Sequence, residues 1–140
     1  MDELGFSSLL DAQAGVFTRV QAMTFGVSAR EAARAAAEGE WSRAAGKGFT
    51  LRSTDIGDSQ LAWAAMLSMP DAVVWGPSAL RLWLPDGPVK APYLVNVAVP
   101  SHRRAQFRIR PRTIRVPPGE VSMWAGVRVQ TREPALVDSL

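Results

Sequence analysis

The sequence predicts an α+β chain, and three observations carry that prediction. Two helix-start signals, at Thr18 and Ser28, stand ten residues apart with a glycine between them. A glycine-turned pair of short alternating runs follows directly, over residues 40–52. From Tyr93 onward, apolar runs are separated by proline or glycine turns.

In chain order, residues 7–14 predict a first helix. It sends Leu9 and Leu10, with Phe6 beside them, into a core shared with Val16, Phe17, Val20, Met23 and Phe25. Thr18-Arg19-Val20-Gln21 fits a capping box, in which a hydroxyl caps the amide three residues on and that residue's side chain reaches back. A short helix over 19–25 follows, ended by Gly26 in the left-handed conformation that glycine adopts without strain. Ser28-Ala29-Arg30-Glu31 repeats the box and opens a helix over 29–38, which Gly39 stops. Two short helices joined by a glycine turn form a helix-turn-helix. Glu40–Arg43 then reads as a strand, Gly46-Lys47-Gly48 as a tight turn and Phe49–Arg52 as the returning strand. Period-two alternation puts Phe49 and Leu51 inward, with Thr50 and Arg52 outward. Residues 15–52 are therefore a winged helix-turn-helix in expectation, and 1–54 a first domain.

The polar run Thr54–Ser59 marks a boundary, and 60–140 reads as a second α+β domain with a mixed or antiparallel sheet. Its expected elements are a helix over 60–69 closed by Pro70, a buried strand over 72–75 and a helix over 76–83 with proline near its start. Strands over 93–99, 106–110, 114–116 and 127–130 follow, then a closing helix from Glu133. Phe107 and Ile109 alternate with Arg108 and Arg110, so that strand is expected to bury one face and present arginine on the other.

Composition limits the function classes. With 47% hydrophobic and 21% charged residues, the chain is globular rather than disordered. It has no cysteine, which excludes a disulfide scaffold, a thiolate metal site and a cysteine nucleophile. The single histidine, His102, sits in a Pro-Ser-His-Arg-Arg turn with no partner at any motif spacing. Gly46-x-Gly48 lacks the remaining glycines of a phosphate loop, and no carboxylate pair stands near a lysine as two-metal chemistry requires. No catalytic residue, metal site or cofactor is expected, and the chain reads as a non-enzyme. Its N-terminus has no basic signal-peptide region, and no run approaches the ~20 apolar residues of a membrane span. A cytoplasmic location and no membrane partner are therefore expected.

The net charge of +3 is unevenly placed. The first 60 residues carry a small acidic excess and the remainder a basic one. Arg103, Arg104, Arg108, Arg110, Arg112 and Arg115 fall within 13 residues, with no acid among them. Guanidinium forks suit phosphate because each donates two parallel hydrogen bonds, although a solvated strand face accounts equally well for the run. The helix over 29–38 has alanine sides, with Arg30, Arg34 and Glu38 on one stripe. Such a helix either seats closely against another surface, including the floor of the major groove, or is a surface helix with Arg34 and Glu38 paired.

Several segments resemble the AbiEi-like antitoxins and their actinobacterial winged-helix relatives: Gly15–Ala22, Gly26-Val27-Ser28, Trp41 with the glycine-containing wing, Ala72-Val73-Val74, Ser78–Trp83, Val95–Pro100 and Val127–Asp138. The chain departs from the family at Trp75-Gly76, where a serine-histidine pair is usual, and at Pro134-Ala135, where arginine-threonine is usual. Most members also continue beyond the leucine-valine-aspartate segment, so the 60–140 region reads as shorter than its family counterpart.

The resulting expectation is a DNA-binding transcriptional regulator, an antitoxin-like autorepressor of a toxin–antitoxin operon. Arg30 and Arg34 are the candidates for base edges, Arg19, Arg43 and Lys47 for phosphates, and Ser28 joins them at the helix start. The six arginines of residues 103–115 form a basic patch that extends the DNA surface or meets a protein. Expected partners are double-stranded DNA, a cognate toxin or other protein, and a second copy on DNA. The alternatives are a protein-interaction module built on the winged helix, and the N-terminal part of a longer nuclease-like protein.

Overall fold

The computed structural model describes residues 1–86 and 94–140. Three helices come first: α1 (Glu3–Ala12), α2 (Arg19–Thr24) and α3 (Ala29–Ala37). The box at Thr18 closes fully, whereas at Ser28 only the hydroxyl half forms and the Glu31 side chain does not reach back. Thr18 Oγ accepts from the Gln21 amide at 3.1 Å, and Gln21 Oε1 accepts from the Thr18 amide at 3.0 Å, closing the box. Ser28 Oγ accepts from the Glu31 amide at 3.1 Å. Gly26, at φ +105°, ends α2 in a Schellman motif: its amide donates to Met23 O, and the Val27 amide to Ala22 O.

The hairpin of β1 (Trp41–Ala45) and β2 (Gly48–Leu51) follows, antiparallel, with Trp41 opposite Leu51 and Ala45 opposite Gly48. One aromatic cluster joins it to the helices. Phe17, fully buried, meets Phe6 and Trp41 edge-to-face at ring-centroid distances of 5.1 and 4.9 Å, and Phe49 packs beside them. Two residues expected in this core lie outside it. Val20 is 73% and Met23 44% exposed, because the six-residue α2 turns only Ala22 fully inward and is too short for periodicity to choose its buried face.

The second half begins with α4 (Asp58–Ser68), which buries five consecutive residues from Leu61 to Ala65. A helix apolar on all sides needs cover all round. Here the wing hairpin lies against one side and a five-stranded sheet against the other. The sheet runs β5 (Ile109–Thr113), β4 (Val95–Val99), β3 (Val73–Val74), β7 (Val127–Gln130), β6 (Val121–Trp124). It is mixed: β4 pairs parallel with β5 and antiparallel with β3, and β7 pairs parallel with β3 and antiparallel with β6. Val74, Val95, Val97, Val99, Val127 and Val129 form one buried cluster with α4 and with α5 (Gly76–Trp83). Ala135 of the closing α6 (Arg132–Val137) joins it.

The same cluster takes in Val16, Ala44 and Ala45, so the wing and the second half share a core. That sharing corrects the expected alternation in β2. Thr50 is fully buried rather than outward, because α4 covers the face of the hairpin opposite the aromatic cluster. Gly48 permits the close approach, since a Cβ there would stand 2.7 Å from Ala64 Cβ.

Two further expectations change. Residues 114–116 form no strand; a 3₁₀ turn over Pro118–Glu120 redirects the chain into β6, which the sequence reading missed. Phe107 is 42% exposed although Ile109 is buried, because the backbone turns through positive φ at Arg108 and breaks the alternation. Tyr93, the expected start of β4, lies outside the described residues.

Candidate nucleic-acid interface

The cap at Thr18 fixes Arg19 as the first residue of α2, where its guanidinium lies 5.5 Å from the centroid of the Phe49 ring. Across from it, α3 turns Ala32 and Ala35 into the core and leaves Arg30, Ala33 and Ala37 on one outward stripe. Ala33, Ala36 and Ala37 line one wall of a groove of about 640 Å³. Trp41, Arg43, Lys47 and Phe49 form the opposite side, and Arg19 and Val20 of α2 complete it. Arg43 is braced at the rim by donating from Nε to Gly46 O at 2.9 Å. Lys47 stands exposed at the hairpin tip, its amide bonded to Ser68 Oγ at 2.8 Å.

Three of the six residues expected at the interface, Arg19, Arg43 and Lys47, thus come together around one groove from two elements. No carboxylate lines that groove, and none of the three forms an ion pair among the described residues. Arg30 is exposed near the start of α3, on the stripe that leads into the groove. Ser28 acts through its cap.

Arg34 is placed differently. It bridges Glu38 on its own helix at 2.8 Å and Glu40, just before the wing, at 2.9 Å. The hydrogen bond from Arg34 holds the Glu40 carboxyl below the usual carboxylate range, and the two carboxylates raise Arg34 in turn. The sequence reading foresaw the pairing with Glu38 but not the reach to Glu40, which depends on the angle between α3 and β1.

The arginine run does not form a single stripe. Arg103 pairs with Asp71, Arg112 lies over the Trp75 ring at 5.5 Å, and Arg104, Arg110 and Arg115 are exposed without ion pairs among the described residues. The run does dock on the wing. The Gly46 amide donates to Phe107 O at 2.8 Å, and Arg108 reaches Ala44 O. Arg43 and Arg108 both lie against the Phe107 ring, at 5.0 and 4.7 Å. Sequence reasoning missed this junction, because nothing local in residues 101–110 refers to a hairpin sixty residues earlier.

With this geometry in view, the family comparison falls on the same elements. Residues 7–49 match the family model described as transcriptional regulator, AbiEi antitoxin. The AbiEi match enters within α1 and leaves within β2 at Phe49, so it holds α2, α3, β1 and the wing turn. The resemblance read from the sequence is borne out over that segment. No curated protein and no solved structure matches the chain. No helix among the described residues is long and apolar enough to cross a membrane, and no group of three metal-ligating side chains occurs among them.

Proposed function

We propose that the chain is a double-stranded-DNA-binding transcriptional regulator that represses its own toxin–antitoxin-type operon in the cytoplasm. The observation that carries this reading is the convergence of Arg19, Arg43 and Lys47, without ion pairs among the described residues, on the groove beside α3. The AbiEi match over the same elements supports the regulatory role. In this reading the Arg30–Ala33–Ala37 stripe enters the major groove, where alanines allow close seating and Arg30 reads a base edge. Arg19, Arg43 and Lys47 hold the flanking phosphates, and exposed Arg104 and Arg110 extend the basic surface beyond the wing. Two copies on an inverted repeat would read two half-sites. A neighbouring toxin is the protein partner this reading calls for.

Arg34 takes a lesser part, because its guanidinium is already engaged by two carboxylates. A gel shift on the DNA upstream of the coding sequence separates the roles. Arg30→Ala is expected to cost about 1–3 kcal/mol of specific binding. Lys47→Ala should weaken all sequences alike and lower the salt slope by about 1. Arg34→Ala should change specific binding by less than Arg30→Ala does. No binding at low salt would sink the proposal, and the winged helix would then be a protein-docking scaffold.

A further inference from the structure

We infer that the groove between α3 and the wing is a binding site for a small amphipathic anion, an aromatic ring or short acyl chain bearing one carboxylate, sulfonate or phosphate. Phosphate contacts account for the cations at its rim but not for its floor. The floor is apolar: the Trp41 and Phe49 rings, 8% and 9% exposed, face a wall made by Ala33, Ala36 and Ala37. Its volume of about 640 Å³ lies within the roughly 300–1,000 Å³ of small-molecule sites, which are likewise mostly apolar with a few placed polar groups.

Charge selects the sign of the occupant. Arg19, Arg43 and Lys47 line the groove and no acid does. Arg19 is held over the Phe49 ring, so a ligand ring seated on the floor would find a guanidinium at its edge. A cationic or purely polar solute has no comparable fit.

The site has a regulatory consequence, and this step alone rests on the DNA-binding reading. The three cations that meet a ligand anion are the ones assigned to phosphates, so ligand and DNA compete and the ligand relieves repression.

Titration of the full chain, without DNA, with anilinonaphthalene sulfonate tests the site. Saturable fluorescence at one dye per chain is expected. Ala33→Leu, which fills the groove from an exposed helix position, should abolish it without changing the melting temperature. Replacing Arg19, Arg43 and Lys47 together by alanine should weaken the sulfonate about tenfold yet spare the uncharged dye phenylnaphthylamine, and Ala33→Leu should defeat both dyes. Naphthoate should displace the sulfonate. Dye binding that survives Ala33→Leu would overturn the site, since the dye would then sit on other apolar surface such as Leu4 or Leu136. Displacement by an acidic leucine-rich peptide but not by naphthoate would overturn the small-anion assignment. In a chain that does bind DNA, the dye should lower the gel-shifted fraction, and failure to do so removes the regulatory step. Should the chain bind no DNA while the dye results hold, the proposed function falls and the site stands.

Discussion

Glu40 shows how one side chain can tie α3 to the hairpin that follows it. It accepts from Arg34 across the α3–β1 turn, and both groups are about half exposed. Solvent screens such a pair, so its weight in stability is small. Its sign is definite. A carboxyl whose pKa is lowered in the folded state adds stability that is present at neutral pH and is lost as the pH falls through that lowered value. NMR titration of the Glu40 carboxyl should therefore show a pKa below that of an unfolded peptide, and Arg34→Ala should return it to the ordinary range. An unchanged Glu40 titration in Arg34→Ala would remove the clamp from the account. Thr50 gives a second test at this scale. Its hydroxyl is fully buried and has no hydrogen-bond partner among the described residues, a state that costs about 1–3 kcal/mol. Thr50→Val keeps the shape and the β-branching. It is expected to raise stability by about 1 kcal/mol in urea unfolding, and a clear loss would show that the hydroxyl has a use.

Among the elements, the three helices and the wing are held by one aromatic centre and by caps. Phe17 touches Phe6, Trp41 and Phe49 and is closed to solvent. Phe17→Ala is accordingly expected to cost about 3–5 kcal/mol, measured as a shift of the denaturant midpoint. Thr18→Ala removes one half of the box that starts α2 and should cost about 1 kcal/mol, with Thr18→Ser retaining most of it. The caps and the Gly26 turn were legible in the sequence because each is local chemistry within six residues. The inward face of α2 was not, since six residues do not complete two turns. Nor was β6, whose start is set by the Pro118–Glu120 turn and by pairing with β7 rather than by its own pattern.

At the scale of the molecule, α4 joins the two halves. The wing packs on it through Ala44, Ala45 and Gly48 while the five-stranded sheet packs on its other side. Cooperative unfolding follows from a shared core. Tryptophan fluorescence, with Trp41 in the first half and four tryptophans in the second, should trace the same transition as far-UV circular dichroism. Gly48→Leu would force the hairpin off α4, where a Cβ already stands only 3.0 Å from Ala64 Cα. It should lower the midpoint seen by both probes together. Two separated transitions would mean that the halves unfold independently.

The sequence by itself determined the α+β class, the order of helix, turn, helix and hairpin, the caps that start α2 and α3, and the family likeness over residues 7–49. These are short-range properties, written in side chains that act on backbone a few residues away. Only the tertiary structure decided that Arg34 also reaches Glu40 while Arg19, Arg43 and Lys47 share a groove. It alone brought Phe107 and Arg108 onto the wing and turned Thr50 inward. The first two depend on the angles at which α2 and α3 meet the hairpin, and the last two on how α4 and the sheet meet it. Those angles come from many weak contacts across the fold, and no local pattern encodes them.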